Sequence, residues 1–301
     1  MAKYYIGFDC GTMGTKTAIY RIDSTRMAEA YRENKISYPQ PGWAEMDPLG
    51  FVQAVREGVR ECLQKSGINP HEIRGISASG IICGIVGIDE NWHPVTPFVP
   101  YLDNRARSEA EWVKSNVKPV WLEESGNIIV DEFMPPMILR WFLNHYTGFK
   151  ERAVKVVNNG PFVLGTLAGL TADKAFLDWA TMSGWLIGYD AVKRDWSEKQ
   201  MKALGIPMEI LPRIVKPWEV VGYLCPEEAQ SMGLPSGIPI VAGAGDTMQS
   251  AMASGLLEPG QSTDVAGTAS IFAVAVPGMI EKISRAPGMM LATGTLENSY
   301  F

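Results

Sequence analysis

The segment from Asp9 to Lys16 carries a carboxylate, an ammonium group and two hydroxyls among small residues. The residues whose backbone N–H groups could cradle a phosphate are Gly11, Thr12 and Gly14. Lys16 can add positive charge, and Asp9 can hold Mg²⁺ directly or through water. The segment is not a Walker loop, because Thr15 separates Gly14 from Lys16 and because the segment is too short for the pattern GxxxxGK(S/T). The alternative is a tight hairpin in which glycine supplies only backbone freedom.

A second glycine-rich segment runs from Gly243 to Met248 and contains Asp246. It begins like a dinucleotide-binding loop, but Met248 stands where that loop needs its third glycine, so a dinucleotide fold is disfavoured. A carboxylate that follows a buried strand at the start of a helix is well placed to act on a substrate hydroxyl. The alternative is that Asp246 only caps the helix.

Two further carboxylates have aromatic or basic neighbours. Asp103 and Arg105 are in a loop that follows a strand, and Asp178 is in an apolar stretch next to Trp179. Such carboxylates suit a sugar, whose hydroxyls donate to oxygen while its C–H faces pack on rings. The alternative is that they are ordinary surface residues. The three histidines have no metal-ligand spacing, and no Ser-His-Asp arrangement can be proposed.

The elements that must position these residues follow from the spacing of apolar side chains. Tyr4 to Phe8 and Thr17 to Tyr20 are predicted strands on either side of the first turn, and Met27 to Ile36 is a third. Asp47 predicts a helix N-cap, with Pro48 in the first turn of the helix. Strands and helices alternate later in the chain, which predicts an α/β fold. These later segments are Gly75 to Ser79, Gly84 to Asp89, Ser108 to Val113, Met137 to Tyr146, Ile238 to Ala242 and Thr247 to Gly255.

The first turn has a counterpart late in the chain. Asp264 to Ile271 contains a second Gly-Thr pair, Gly267-Thr268, between two extended segments. If each hairpin opens a domain of the same design, the second domain stops at Phe301 after about one hairpin, which is too little chain to bury its own core. We therefore expect a fragment or an incomplete copy of a two-domain protein.

The composition narrows the classes of protein. Of 301 residues, 46% are hydrophobic and 20% are charged, and the formal charge is −6. These values are typical of a globular protein, and the acidic balance argues against nonspecific binding of nucleic acid. The four cysteines form no CxxC pair and are too far apart for a disulfide scaffold. No apolar run is long enough for a signal peptide or a membrane helix, so a cytoplasmic enzyme with no membrane partner is expected.

Together these segments resemble the FGGY family of carbohydrate kinases, with the xylulose kinases as the nearest comparison. The resemblance covers nearly the whole chain. It rests on the order and spacing of several short motifs, each of which is weak alone. The motifs are Ile6 to Lys16, Pro41 to Pro48, Leu102 to Arg105, Lys193 to Ser197, Val241 to Asp246 and Val265 to Thr268.

The resemblance implies a ribonuclease-H-like, actin-like α/β fold in two lobes, with ATP and a sugar bound in the cleft between them. Residues 1–240 would form the sugar-binding N-terminal lobe, and residues 241–301 the incomplete beginning of the second lobe. The family's adenine-binding segment belongs to the second lobe, beyond the hairpin at which this chain stops. Weak or absent turnover is therefore expected from this chain alone.

The resemblance also implies roles for single residues. Asp246 matches the family's general base, which takes the proton of the attacking sugar hydroxyl as the γ-phosphoryl group is transferred in line. Asp9 matches the acidic residue at the Mg²⁺ and phosphate site. The matches to the two phosphate turns are Gly11, Thr12, Gly14, Thr15 and Lys16 in the first and Gly267 and Thr268 in the second. The expected sugar contacts are Ile82, Cys83, Asp103, Asp178 and Asp246.

Some positions depart from the family pattern. Where xylulose kinases carry Gly-Gln-Met-His-Gly, this chain has Gly80-Ile-Ile-Cys-Gly84, so Ile82 and Cys83 replace the Met-His pair that contacts the sugar. Losing an imidazole partner can shift specificity strongly. The segment from Asn158 to Gly165 replaces a charged, tyrosine-containing one, and Thr247 replaces the usual Asn after the base. A pentulose, a related ketose or a polyol is therefore expected, and xylulose is not assumed.

Two other functions stay open at the level of sequence. One is an actin-like assembly protein that holds nucleotide with the same hairpins and takes no sugar. The other is a degenerate kinase that binds sugar without turnover, which Ile82 and Cys83 would permit. The family resemblance also makes a homodimer an expectation, although no heptad pattern supports it.

Overall fold

Strands and helices alternate along the computed structural model, which describes residues 3–127, 129–266, 270–278 and 289–301. The strands are β1 (Tyr4–Cys10), β2 (Gly14–Arg21), β3 (Arg26–Glu33), β4 (Ile36–Ser37), β5 (Glu45–Met46), β6 (Ile73–Gly80), β7 (Gly84–Ile88), β8 (Val99–Pro100), β9 (Lys155–Val157), β10 (Phe176–Asp178), β11 (Tyr189–Asp190), β12 (Asp195–Trp196), β13 (Arg213–Val215), β14 (Val220–Tyr223), β15 (Pro239–Gly245), β16 (Ser262–Ala266) and β17 (Ser270–Val274). The helices are α1 (Pro48–Ser66), α2 (Arg107–Asn116), α3 (Pro135–His145), α4 (Phe149–Arg152), α5 (Asn159–Ala168), α6 (Trp179–Met182), α7 (Glu198–Leu204), α8 (Pro226–Met232) and α9 (Asp246–Ala253).

Six strands form a central sheet in the order β14-β15-β6-β1-β2-β3. β6 pairs in parallel with both β1 and β15, whereas β2 and β3 continue the sheet by antiparallel pairing. The carboxyl ends of β1, β6 and β15 therefore meet at one edge of the sheet. The boundary predicted after residue 240 falls inside β15, and this strand belongs to the sheet as far as Gly245.

The predicted run of three strands and a helix is confirmed. α1 begins after Asp47, whose side chain accepts a hydrogen bond from the Leu49 N–H at 3.0 Å, and it ends at Gly67 with φ 63°. Its apolar side packs on one face of the central sheet, where α5 and α8 also contribute to the core. The buried residues of α1 are Pro48, Phe51, Val52, Ala54, Val55, Gly58, Val59 and Cys62.

A second core lies beside the sheet. The strands β8, β7 and β9 form a small three-stranded sheet, and buried residues of α2, α3 and α6 pack around it. The strand predicted at Gly84 to Asp89 is β7, and the predicted helices at 108–113 and 137–146 are α2 and α3. The loops that enter and leave this second core carry several of the predicted site residues.

The end of the chain packs against this second core. β16 and β17 pair as the antiparallel hairpin that the late Gly-Thr segment predicts. The Thr293 hydroxyl donates to the Trp179 carbonyl at 2.9 Å, and the Trp179 indole N–H donates to the Gly294 carbonyl at 3.1 Å. Within the described ranges, no helix combines the length and apolar character needed to cross a membrane.

Candidate active site

The hairpin of β1 and β2 places the predicted phosphate turn at the edge of the central sheet. Asp9 lies opposite Lys16 in the register of the two strands. Gly11 and Thr12 are half-buried, whereas Lys16 is exposed. Since directly opposite residues project from the same face of a sheet, Asp9 and Lys16 share one face of this hairpin.

Two residues at the end of β3 hold this turn in place. The Asn34 side-chain amide donates to the Gly11 carbonyl at 2.7 Å and accepts the Thr15 hydroxyl at 3.1 Å. The ring of Tyr31 lies against Gly14, where a Cβ would come within 2.2 Å of it. Neither Gly11 nor Gly14 has a positive φ, so close approach of Tyr31 is what requires glycine at 14.

Thr15 is 1% exposed, and its hydroxyl is bonded to Asn34. The Thr15 side chain therefore holds the turn in place, and it is not among the residues that we propose to contact phosphate. Asn34 is not among the residues that the sequence motifs predict for the site. Its position just after β3 is the only local signal that could have pointed to it.

Asp9 has one carboxylate oxygen, Oδ1, that is buried and has no hydrogen-bond partner among the described residues. A buried carboxylate oxygen without a donor is costly, and a bound cation would offset that cost. Mg²⁺ is commonly held by one or two carboxylates together with substrate phosphates and water. The Asp9 carboxylate fits this role. The described part of the chain contains no group of three His, Cys, Asp or Glu side chains suited to a metal.

Asp246 is the first residue of α9, directly after β15. Gly245 occupies the N-cap position, and the Asp246 carboxylate accepts the Thr247 N–H at 2.6 Å. Burial raises the pKa of the Asp246 carboxyl above its ordinary value; the Thr247 hydrogen bond opposes this, and the negative charge of Asp9 adds to it. A carboxylate with a raised pKa is a better proton acceptor.

Asp9 and Asp246 project from the same edge of the central sheet, with β6 alone between their strands. In register, Asp9 lies beside Ser79 of β6, and Ser79 lies beside Ala244 of β15. Two strand spacings separate the backbones by roughly 10 Å. Because the charge of Asp9 raises the pKa of Asp246, the two carboxylates share one electrostatic environment.

The segment between β6 and β7 runs beside Asp246. The Ile82 backbone N–H faces the Asp246 carboxyl and lowers its pKa, and the Ile82 side chain packs against Gly184 and Gly245. The Cys83 thiol donates to the Gly184 carbonyl at 3.1 Å. Burial, with the charge of Asp246, raises the pKa of that thiol to about 12. Ile82 and Cys83 thus lie near the candidate base but present an apolar wall and a neutral thiol.

Asp103 is fully buried, and protein groups use both of its carboxylate oxygens. It accepts hydrogen bonds from the Ala44 N–H at 2.6 Å, from the Arg105 N–H at 2.8 Å and from the Arg105 guanidinium at 2.9 Å. That guanidinium lies over the ring of Trp43 at 4.0 Å. The structure therefore gives Asp103 a structural role, and it does not bring Asp103 to the edge that carries Asp246.

Asp178 is also buried, and it caps α6. Its carboxylate accepts the Ala180 N–H at 3.0 Å, the Thr181 N–H at 2.8 Å and the Thr181 hydroxyl. Burial raises its pKa to about 6, against the effect of these hydrogen bonds. It lines a cavity of about 10 Å³ together with Asn158 and Gly245. That volume suits about one water molecule, and both oxygens of the Asp178 carboxylate already accept hydrogen bonds from protein groups.

A groove of about 880 Å³ runs along the strands of the first hairpin, with Asp9, Lys16, Ser79 and Gln249 among its lining residues. A ligand held at Asp9 therefore has room to extend along the sheet. The predicted second phosphate turn at Gly267 and Thr268 lies outside the described residues.

The chain belongs to the FGGY family of carbohydrate kinases, because the model of that family's N-terminal domain matches residues 4–253. A xylulose kinase of Escherichia coli K12 is 25% identical over 278 residues, which cover 92% of this chain and 55% of that protein. A glycerol kinase of Alkaliphilus metalliredigens is 26% identical over 276 residues, which cover 89% of this chain and 53% of that protein. The chain thus spans little more than half the length of these relatives.

Solved structures show the same fold. The crystal structure of xylulose kinase from Rhodospirillum rubrum matches 99% of this chain and 60% of its own, with a TM-score of 0.87 and 24% identity. The glycerol kinase of Plasmodium falciparum with ADP matches 99% of this chain and 60% of its own, with a TM-score of 0.86 and 16% identity. The actin-like ATPase fold predicted from the sequence is confirmed.

Proposed function

We propose that this chain forms the sugar-binding part of an ATP-dependent carbohydrate kinase, with Asp246 as general base and Asp9 at the Mg²⁺ and phosphate site. The observation that carries the proposal is that the two carboxylates share one sheet edge, separated by a single strand. The membership of the chain in a family of carbohydrate kinases supports the reaction class.

The chemistry divides between the two carboxylates. Asp246 accepts the proton of the sugar hydroxyl while that oxygen attacks the γ-phosphorus and ADP leaves in line. Burial of Asp246 favours this transfer because it raises the pKa of the carboxyl. Asp9 would hold Mg²⁺ through a carboxylate oxygen, and the ion would neutralise charge on the phosphates. The turn next to Asp9 contributes a cation from Lys16 and N–H groups from Thr12 and Gly14 to the nucleotide. Gly11 shapes the turn, because its N–H donates to the Gly14 carbonyl at 3.1 Å.

The acceptor is proposed to be a pentulose, a related ketose or a polyol. The relatives include enzymes named xylulose kinase and glycerol kinase, which brackets this range. Ile82 and the neutral Cys83 thiol offer no strong donor to the sugar, so the acceptor is expected to lack the hydroxyl or the orientation that an imidazole would serve. The cytoplasmic location and the homodimer stay predictions.

The experiment measures sugar binding before turnover. Thermal unfolding is followed with xylulose, glycerol and gluconate added singly, because a ligand that binds the folded state at about 100 times its Kd stabilises it by about 2.7 kcal/mol. Sugar-dependent release of ADP from ATP is then compared between the wild type and Asp246→Asn, with Asp195→Asn as an exposed control.

The proposal expects at least one sugar to stabilise the chain. It expects Asp246→Asn to reduce any sugar-dependent ADP release by about 10²- to 10⁴-fold while Asp195→Asn leaves it unchanged. Stabilisation by sugar without ADP release would identify a sugar-binding chain without turnover. Unaltered turnover in Asp246→Asn would contradict the role of Asp246.

A further inference from the structure

Asn158 and Asn159 lie at the beginning of α5, and each is 1% exposed. Asn158 occupies the N-cap position but makes no side-chain capping hydrogen bond. This is unusual, because an N-cap Asn ordinarily accepts a hydrogen bond from the first turn of its own helix. The two side-chain amides are instead directed at backbone carbonyls of other segments.

Asn159 contacts the strand that carries Asp9. Its Nδ2 donates to the Cys10 carbonyl at 2.8 Å, and its Oδ1 accepts the Gly160 N–H at 3.0 Å. The second bond identifies the oxygen of the amide, so the group that faces Cys10 must be the donor. Cys10 follows Asp9 directly, and its carbonyl belongs to the peptide that opens the phosphate turn.

Asn158 contacts the segment beside Asp246. Its Nδ2 donates to the Ile82 carbonyl at 3.0 Å, while its Oδ1 accepts the Trp185 indole N–H at 3.4 Å. Ile82 also packs against Gly245, the residue directly before Asp246. The side-chain amide of Asn158 therefore holds the peptide group that joins Ile82 to Cys83.

The two contacts straddle the end of β6. A Cβ at Gly80 would lie 2.8 Å from the Asn159 side-chain oxygen, so only glycine lets the strand end pass this closely. The start of α5 thus reaches the end of β1 and the segment that follows β6 through a pair of adjacent residues. Loss of either donor would leave a buried carbonyl without that partner, which is costly.

We propose that Asn158 and Asn159 are positioning residues that fix the two sides of the site relative to each other: Asn159 holds the strand end that carries Asp9, and Asn158 holds the Ile82 segment against Asp246. The functional meaning of this spacing depends on the proposed kinase reaction, whereas the geometric claim can be tested without any ligand.

The test uses the whole 301-residue chain and three substitutions that each turn an amide donor into an oxygen of nearly the same shape. Asn158→Asp and Asn159→Asp are compared with Asn116→Asp, since exposed Asn116 also donates to a backbone carbonyl, that of Trp112, at 2.8 Å. NMR measures hydrogen exchange of single backbone amides. The Thr247 N–H reports on the Asp246 carboxylate that accepts it, and the Gly11 N–H reports on the phosphate turn, where it donates to the Gly14 carbonyl at 3.1 Å.

The proposal expects Asn158→Asp to speed exchange at Ile82 and Thr247 by roughly fivefold to tenfold and to leave Gly11 unchanged. Asn159→Asp should speed exchange at Gly11 by a similar factor and leave Thr247 unchanged. The control Asn116→Asp should change none of these amides.

Two results would overturn the proposal. One is a Thr247 amide in Asn158→Asp that behaves as in the control. The other is equal acceleration of Thr247, Gly11 and the amides inside α5, which would mean general loosening. If the Asp variants do not fold, Asn158→Ala and Asn159→Ala remove the donors without adding charge. Hydrogen exchange of the same backbone amides is then measured in these variants, with the same expected results. Failure of every sugar to bind would contradict the proposed function and leave this readout intact.

Discussion

Asp103 and Asp9 are two acidic residues of one fold with opposite surroundings. Asp103 is fully buried and accepts hydrogen bonds from Ala44 and, three times over, from Arg105. Asp9 is half-buried, yet its Oδ1 atom is shielded from water and has no donor among the described residues. Both residues stand in short motifs shared with the family. The number of hydrogen-bond donors around each carboxylate therefore distinguishes the two residues better than burial or motif does. A carboxylate with many donors has a structural role, whereas one without a donor can accept a cation.

Asp103→Ala should give the largest change in stability. It leaves the buried Arg105 guanidinium with Glu45 as its remaining ion-pair partner, and breaking a buried pair in this way costs about 3 to 5 kcal/mol. Urea unfolding followed by circular dichroism measures the loss. Asp23→Ala breaks the exposed Arg21–Asp23 pair and serves as the control, with only a small change expected. Equal losses in the two variants would show that the burial of Asp103 has no energetic weight.

Asp178 is an intermediate case, since it has several donors but no ion-pair partner in the described part of the chain. Its pKa of about 6 lies above the ordinary value of 3.8. The folded state therefore binds the Asp178 proton more tightly than the unfolded state, and the contribution of Asp178 to the free energy of unfolding should rise as the pH falls from about 7 to 4. The expected gain is on the order of 2 to 3 kcal/mol.

Asp178→Asn keeps an acceptor for the N-terminus of α6 but removes the titration. The difference in unfolding free energy between the wild type and this variant should therefore vary with pH across the same range. Urea unfolding at pH 4, 5, 6 and 7 measures it. A difference that stays constant from pH 7 to 4 would contradict the raised pKa.

Asp9→Asn should give the smallest change in stability of the three. The charged form leaves a buried oxygen without a donor, so neutralising the side chain should leave the free energy of unfolding unchanged or raise it by up to about 1 kcal/mol. The same variant should lose any stabilisation by MgATP that the wild type shows, measured by thermal unfolding. A loss of stability as large as that of Asp103→Ala would remove the contrast between the two carboxylates.

The sequence predicted the parts of the site that depend on local pattern. The first hairpin, the α1 cap at Asp47 and the strand-to-helix turn at Asp246 all follow from neighbouring residues, and the structure has each of them. The helix cap formed by Asp178 could also have been predicted from the sequence, because its donors are only two and three residues away. The sequence instead suggested two alternatives for Asp178, a contact with sugar or an ordinary position on the surface.

The rest depends on contacts between distant parts of the chain. Asp103 receives the N–H of a residue 59 positions away, and Asn158 reaches a carbonyl 76 positions away. No period or motif in the sequence shows which distant donor meets which acceptor, because the packing of two cores decides it. The positions of Asp9 and Asp246 at the ends of strands were therefore predictable from the sequence, whereas the groups that surround the two residues were not.

The central claim is that Asp9 and Asp246 face one shared space, and carbon-13 NMR of the Asp246 carboxyl tests it most directly. The charge of Asp9 raises the pKa of Asp246. Titration of this resonance in the wild type and in Asp9→Asn should therefore give a lower pKa for Asp246 in the variant. An unchanged pKa would mean that the two carboxylates do not sense each other, and the proposed site would be contradicted.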